Sequence, residues 1–204
     1  MKSYPSISRV SQFGIPIYAF DKLDGSLIRA EWSRKQKKFI KFGRKNGLLD
    51  HSNPILLEAP EIIRRDYEDV LSRKFIEARW QNVVAFFEFF GFNSFAGNHI
   101  SESHMCTLFD VSVDKKGLLE PRDFLQLFED VRHASLLYHG NFNHELQNSV
   151  QNGELPGMTF EGIVCKGKYI SPGMPLMFKV KNKAWLNKLR TKCGKNDSLF
   201  NELQ

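Results

Sequence analysis

The feature that most constrains this chain is a set of charged residues placed within or beside its apolar segments. Its five members come from distant parts of the sequence: Lys22, Glu88, Glu161, Lys179 and Lys181. An isolated charge taken out of water loses on the order of several kcal/mol of solvation, so buried charges are paired or functional. We therefore expect the five side chains to meet in one cleft, where they could hold a polyphosphate and its metal.

The apolar pattern around these charges predicts several strands. Residues 27–32 and 39–43 flank the charged stretch 33–38, which predicts a β-hairpin with a basic tip. A contact of that tip with nucleic acid and a merely solvated turn are about equally consistent with the sequence. Four more segments read as strands: residues 82–91, 107–113, 158–166 and 175–181.

Helical spacing of apolar residues appears in two further segments, and each of them begins at a proline. They start at Pro60 and Pro121, and the second is expected to carry Val131 on its apolar face. A short helix with a frayed end is expected after Trp185. Together these elements predict an α+β fold, with antiparallel sheets flanked by helices, in a single domain over residues 1–204.

Composition limits the classes of protein that fit. Lys and Arg outnumber Asp and Glu by 29 to 23, a formal charge of +6 that makes nucleic acid a plausible partner. The three cysteines are far apart, so neither a disulfide framework nor a zinc site is indicated. The sequence contains neither a signal peptide nor a run of about 18 apolar residues, which predicts a cytoplasmic protein without a membrane partner.

Lys22 is the candidate nucleophile. An amine attacks only when it is deprotonated, and nearby cations lower the pKa of a lysine. We expect Lys179, Lys181 and a bound Mg²⁺ to act on Lys22 in this way. The same cations would stabilise a departing pyrophosphate if the attack falls on an α-phosphate.

The residues around these charges resemble a series of motifs. Lys-Leu-Asp-Gly-Ser at residues 22–26 resembles motif I of the covalent nucleotidyltransferases, which comprise RNA ligases, DNA ligases and mRNA capping enzymes. The segments that resemble motifs III, IIIa, IV and V follow in the family's order: residues 86–91, 108–111, 161–166 and 178–181. The resemblance covers about residues 19 to 186 and implies an ATP-grasp-like nucleotidyltransferase fold.

The resemblance implies a role for each matching residue. Lys22 would become adenylated by ATP, with Asp21, Asp24 and Gly25 beside it in the nucleotide site. Glu88 would hold the ribose hydroxyls.

The later motifs imply contacts with the base, the metal and the phosphates. Phe109 would stack on the base, and Glu161 would help to bind Mg²⁺ or Mn²⁺. Lys179 and Lys181 would bind the phosphates. The loop at residues 91–99 would line the site or be a surface turn.

A sixth motif, Ia, is matched less closely. Gly43 and Arg44 are its candidates, and Arg29 is an alternative to Arg44. For Arg44, an exposed charge on the hairpin fits the sequence nearly as well.

Two departures from the wider family favour the RNA ligases. Leu27 stands where DNA ligases and capping enzymes usually carry arginine, and the 23 residues after Lys181 are too few for their OB-fold domain. The implied activity is ATP-dependent RNA ligation: AMP passes from Lys22 to an RNA 5′-phosphate, which is then sealed to a 3′-hydroxyl. The alternatives are a DNA ligase or guanylyltransferase core that needs a partner, and a non-catalytic nucleic-acid-binding module.

Familiar RNA ligases often carry a C-terminal domain that engages the nucleic acid, and we expect none in this chain. Other parts of the protein, or a partner, would have to make these contacts. The basic hairpin at residues 34–41, the segment 183–195 or a separate nucleic-acid-binding partner could supply them.

Overall fold

The structure, a computed structural model, describes residues 1–92, 94 and 101–204. Residues 93 and 95–99, most of the loop considered for the lining of the site, lie outside the described residues.

In the described chain, four strands form one antiparallel sheet. They are β1 (Pro16–Asp21), β8 (Leu136–Asn141), β9 (Gly162–Ser171) and β10 (Met174–Lys181), arranged in the order β10-β9-β1-β8. Helix α3 (His144–Asn152) covers this sheet and buries Leu146 and Val150 against it. The side chain of Asn143 caps the helix by accepting a hydrogen bond from the backbone N–H of Leu146 at 2.8 Å.

Six other strands of the described residues form a second antiparallel sheet: β2 (Ser26–Ser33), β3 (Lys38–Arg44), β4 (Gly47–Leu48), β5 (Asn82–Phe90), β6 (Met105–Val113) and β7 (Gly117–Leu118). They are arranged in the order β4-β3-β2-β5-β6-β7. A 3-10 helix at Pro54–Glu58 leads into α1 (Ala59–Glu77), which packs on this sheet. The ring of Tyr67 lies 4.9 Å from that of Phe87, and Phe75 lies 5.3 Å from Trp32.

Three further helices complete the described chain: α2 (Pro121–Leu127), α4 (Lys183–Cys193) and α5 (Asp197–Leu203). The predicted α+β class with antiparallel sheets and flanking helices is confirmed. None of the helices among the described residues is long and apolar enough to cross a bilayer.

Three predicted elements differ from the structure. The helix that begins at Pro121 ends at Leu127, because Phe128 leaves the helical backbone conformation. Val131, expected on the apolar face of this helix, is buried but lies after the helix ends. The strand expected from residue 158 starts at Gly162, after a segment that bonds to a side chain of β1. The expected frayed end contains α5, whose side chains pack against α4.

Candidate active site

A cleft of about 510 Å³ is bounded by both sheets, the N-terminal segment and α5. Residues from β1, β9 and β10 form one side, and residues from β2, β5 and β6 form the other. Nine of the ten residues predicted for the site line this cleft: Asp21, Lys22, Asp24, Gly25, Glu88, Phe109, Glu161, Lys179 and Lys181. Arg44 does not line it.

Glu161 joins two of the predicted lysines. The Nζ atom of Lys22 lies 3.0 Å from Oε1 of Glu161, and the ammonium of Lys181 donates to the same oxygen. Glu161 is only 4% exposed, so this carboxylate is held between two cations away from bulk water. The three charged groups therefore form one compact cluster at the ends of β1, β9 and β10.

The backbone around Glu161 fixes this cluster. The N–H of Lys22 donates to the carbonyl of Gly162 at 3.0 Å, and that of Asn182 donates to the carbonyl of Glu161 at 3.1 Å. Gly162 has φ = +137°, and a Cβ atom there would lie 2.1 Å from the carbonyl oxygen of Val180. Glycine is thus required after Glu161, because β10 passes too close for a side chain.

Charge and burial perturb the three lysines differently. Burial lowers the pKa of Lys22. The nearby carboxylates, Glu161 first and then Glu88, together raise this pKa by more than burial lowers it, so it lies above its ordinary value. Burial and the charge of Lys22 lower the pKa of Lys181 to about 7 and that of Lys179 to about 8. Lys179 and Lys181 do not bring the pKa of Lys22 below its ordinary value in this arrangement, because carboxylates dominate its surroundings. The expected effect of a bound Mg²⁺ on this pKa stays a prediction.

Glu88 lies on β5 beside the loop that carries Lys22. Burial raises the pKa of Glu88 to about 7, although the charge of Lys22 opposes this. Gly25 lets the loop approach β5, because a Cβ atom at residue 25 would lie 2.3 Å from the carbonyl oxygen of Phe89. The glycine of the Lys-Leu-Asp-Gly sequence therefore brings Lys22 and Glu88 into the same cleft.

Asp21 lines the cleft, but its side chain bonds to the protein. Its Oδ1 atom accepts hydrogen bonds from the backbone N–H of Thr159 at 3.0 Å and from the Thr159 hydroxyl at 3.2 Å. These bonds hold the segment that leads to Glu161. Asp24 is buried and contributes to raising the pKa of Lys22.

A second polar cluster lies beside Phe109. The ammonium of Lys166 donates to the Phe109 carbonyl and to Oδ2 of Asp110, both at 2.8 Å. The hydroxyl of Tyr4 donates to the same Asp110 oxygen at 2.9 Å, and its ring lies 5.1 Å from that of Phe109. Lys166 and Tyr4 line the cleft and were not predicted. Lys166 carried a usable signal, a charge within an apolar strand, whereas Tyr4 reaches the cleft only through tertiary folding.

The two arginines considered for motif Ia have other contacts. The Nη2 atom of exposed Arg44 lies 3.6 Å from Oδ2 of Asp50. Buried Arg29 donates to the carbonyl oxygens of Arg44 at 2.9 Å and Gly47 at 2.8 Å. Arg29 thereby clamps the turn between β3 and β4, and this turn presents Lys45 to the cleft. Neither predicted arginine faces the cleft.

Trp185 is a further residue that the sequence did not single out. The side chain of Asn182 accepts a hydrogen bond from the N–H of Ala184 at 2.6 Å, which starts α4 and places Trp185 in the wall of the cleft. The ammonium of Lys181 lies 3.8 Å from the centre of a Trp185 ring. This cation–π contact holds Lys181 in addition to its ion pair with Glu161.

The carboxylates of the cleft could hold a metal ion whose remaining ligands come from the phosphates of the substrate. Among the described residues, no group of three or more His, Cys, Asp or Glu side chains could hold an ion without other ligands. Mg²⁺ needs fewer protein ligands, since it is often bound through one or two carboxylates and substrate phosphates. Glu161 in a cleft lined by lysines fits this mode of binding.

The described elements form an α+β fold of two antiparallel sheets, with the cleft between them. No protein-family model matches the chain, and no curated protein matches its sequence. Among solved structures, the chain is similar to an RNA ligase from Naegleria gruberi. The structure of that ligase with PPi aligns with a TM-score of 0.65 and 20% identity, over 92% of this chain and 58% of the ligase.

Mutants of the same ligase align comparably. One with ATP and Mn gives a TM-score of 0.61 and 19% identity over 86% of this chain and 52% of the ligase. Another with AMP and Mn gives 0.60 and 20% over 91% and 59%. The chain thus spans little more than half of the length of these ligases. The fold that the motifs implied, which these RNA ligase structures share, is confirmed.

Proposed function

We propose that this protein is an ATP-dependent RNA ligase that forms a covalent lysyl-AMP at Lys22. The observation that carries the proposal is the convergence of Lys22, Glu161 and Lys181 in one cleft, with Lys179 and Glu88 in its lining. Three amines from distant segments can bind the phosphates of a nucleoside triphosphate, and two carboxylates can bind its metal or its ribose. The shared fold with RNA ligases supports this assignment.

The first step is attack by the Lys22 amine on the α-phosphate of ATP. The ammonium first gives up one proton to solvent. A nitrogen–phosphorus bond then forms, the bond between the α-phosphorus and the β-phosphate oxygen breaks, and the nitrogen gives up a second proton to solvent and keeps one N–H as pyrophosphate leaves. Lys22 must give up its ion pair with Glu161 before it can attack, since an ammonium has no lone pair. Lys179 and Lys181 stabilise the charge that develops on the phosphates.

Other residues of the cleft orient the nucleotide. The carboxylate of Glu88 accepts hydrogen bonds from the ribose hydroxyls, and the ring of Phe109 packs against the base. Glu161 helps to hold Mg²⁺ or Mn²⁺. When bound, the metal neutralises charge on the phosphate oxygens.

The second and third steps use RNA ends. AMP passes from Lys22 to a 5′-phosphate, and a 3′-hydroxyl then displaces AMP to form the phosphodiester bond. A groove at the end of β3 away from the cleft supports contact with the RNA backbone. Lys38, Lys41 and Arg64 line this groove and can meet phosphates. A separate protein partner that holds RNA remains compatible with this scheme.

Covalent labelling tests the proposal. We expect wild type incubated with α-labelled ATP and Mg²⁺ to retain label after denaturation, and Lys22→Ala to retain none. Lys168→Ala, which changes an exposed lysine on β9, is the matched control and should be labelled like wild type. Absence of label on wild type, or undiminished label on Lys22→Ala, would overturn the covalent step.

Nucleotide and strand specificity test the rest of the proposal. We expect unlabelled ATP, and not GTP, to compete for labelling, and RNA with a 5′-phosphate to be joined to an RNA 3′-hydroxyl. A preference for GTP would replace the proposal with a guanylyltransferase. Sealing only of nicked duplex DNA would replace it with a DNA ligase, and RNA binding without any covalent AMP would indicate a non-catalytic module.

A further inference from the structure

One segment carries most of the excess positive charge of this chain. Residues 182–196 contain four lysines and one arginine and neither Asp nor Glu, whereas the rest of the chain is close to neutral. The five cations are all exposed: Lys183, Lys188, Arg190, Lys192 and Lys195. Helix α4 carries the first four of them, so its backbone fixes where these charges lie.

The inner and outer faces of α4 have different surroundings. Trp185, Leu189 and Cys193 are buried, and the first two of them line the cleft. This buried stripe recurs at every fourth residue, so Lys188 and Lys192 lie on the adjacent face and are exposed. The helix therefore forms part of the cleft wall on one side and presents cations to solvent on the other.

The start of α4 is fixed beside the charged cluster of the cleft. The N–H of Asn182 donates to the carbonyl of Glu161 at 3.1 Å, and the Asn182 side chain caps the helix. Lys183 follows at once, and its ammonium donates to Oδ1 of Asn152, at the end of α3, at 3.3 Å. The basic outer face of α4 thus begins within two residues of Lys181.

The positive charges of α4 are not balanced within the helix. Lys188 and Lys192 are four residues apart, a spacing at which like charges repel each other on a helix surface. Lys183 lies in the first turn, which contains no acidic residue, although the helix dipole favours a negative charge there. Arg190 differs from the lysines, since it pairs with Asp197 and so serves the packing of α5. A polyanion along the outer face would offset the repulsion among the lysines.

We propose that Lys183, Lys188, Lys192 and Lys195 (the α4 face) bind the phosphate backbone of an RNA strand beside the cleft. The 11 residues of α4 extend over about 16 Å, which is long enough to meet several successive phosphates. Ammonium groups on flexible side chains bind phosphates as point charges and do not read the bases. The inference rests on the proposed function for RNA as the polyanion, and it adds a second surface to the groove at the end of β3.

Equilibrium binding of RNA tests the α4 face without any need for catalysis. The probe is a fluorescent oligouridylate of about 12 nucleotides with a 5′-hydroxyl, which cannot accept AMP, and fluorescence anisotropy reports its binding. We expect Lys188→Gln/Lys192→Gln to weaken binding about twentyfold at about 0.1 M salt, because two phosphate contacts are lost. The slope of the logarithm of the binding constant against the logarithm of salt concentration should become shallower by about 1.4.

Two further variants make this result specific to the α4 face. Lys115→Gln/Lys116→Gln removes two exposed lysines from the turn between β6 and β7 and changes the net charge equally. It should bind within about twofold of wild type and keep the same salt slope. Lys188→Arg/Lys192→Arg keeps both charges and should also bind within about twofold of wild type. Thermal unfolding checks that each variant is folded.

A change of base sequence tests whether the contacts go to phosphates. The loss caused by Lys188→Gln/Lys192→Gln should be the same for an oligoadenylate of equal length, because phosphate contacts carry no sequence information. A loss confined to one of the two sequences overturns the inference. So does wild type that binds neither oligonucleotide, an unchanged salt slope, or equal weakening by Lys115→Gln/Lys116→Gln.

These results separate the α4 face from the proposed ligase activity. Labelling of Lys22, together with RNA binding that ignores Lys188 and Lys192, would remove the α4 face and keep the activity. RNA binding that depends on Lys188 and Lys192, without any label on Lys22, would keep the α4 face and remove the activity.

Discussion

The ammonium of Lys166 lies 2.8 Å from Oδ2 of Asp110, and both residues are buried. Lys166 belongs to β9 of the four-stranded sheet, and Asp110 belongs to β6 of the six-stranded sheet. The pair therefore joins the two sheets at the wall of the cleft. Tyr4 adds a third point of attachment through its hydrogen bond to the same carboxylate.

Breaking this pair from one side should destabilise the protein strongly. Lys166→Met leaves the Asp110 charge buried without its cation, so we expect the free energy of unfolding to fall by about 3–5 kcal/mol. Asp110→Asn should also be costly, and the double variant should lose much less than the sum of the two. Urea unfolding measures all three, with Lys168→Met on the same strand as control. Additive losses would contradict the coupling.

Gly25 should be intolerant of any side chain. An added Cβ atom would meet the carbonyl oxygen of Phe89 at 2.3 Å, so Gly25→Ala must push the Lys22 loop away from β5. We expect a loss of about 1–3 kcal/mol of stability and weaker labelling of Lys22. At Gly47 an added Cβ atom meets nothing within 4 Å, so Gly47→Ala should lie within about 0.5 kcal/mol of wild type. Equal effects of the two substitutions would refute this explanation.

The cleft was largely predictable because charge within an apolar strand is a local and conspicuous signal. Lys179 and Lys181 alternate with buried neighbours on β10, so the period of a strand places both side chains on the same face. Arg44 lacked such a setting, and its side chain contacts Asp50 instead. Arg9 and Lys45 reach the cleft through a backbone bridge to β10 and a clamped turn, respectively, which no pattern within their own segments encodes.

The fold shows the same division between local and non-local information. Helix α1 was predicted because its apolar residues repeat over five turns against the six-stranded sheet. Helix α3 buries only Leu146 and Val150 and was not predicted. Strand β8 is half exposed, and its strand conformation depends on pairing with β1, which lies more than a hundred residues earlier in the chain. Such elements follow from their partners more than from their own sequence.

Glu88 should lower stability at neutral and alkaline pH. Its pKa rises from 4.5 to about 7 on folding. Its contribution to the free energy of unfolding is therefore most favourable below pH 4.5 and is lost as the pH rises through 7. We expect Glu88→Gln to increase the free energy of unfolding at pH 8 by about 2 kcal/mol more than at pH 5, and to weaken nucleotide binding. Glu145→Gln on the exposed face of α3 is the control. An equal effect of Glu88→Gln at both pH values would contradict the raised pKa.

Lys179 should make phosphate binding depend on pH near 8. Its surroundings contain the charges of Lys22, Arg9, Lys45 and Glu161 and the carbonyl of Gln204, and its pKa is lowered to about 8. The side chain is therefore charged below pH 8 and neutral above it, so its attraction for phosphate is lost as pH rises.

Arginine at residue 179 keeps its charge throughout this range and provides the comparison. The affinity of wild type for pyrophosphate, divided by that of Lys179→Arg, should fall by up to about tenfold between pH 7 and pH 9. The ionisation of pyrophosphate itself affects both proteins equally and cancels in the ratio. A ratio that stays constant across the range would mean that the ammonium of Lys179 either does not meet the phosphate or does not titrate there.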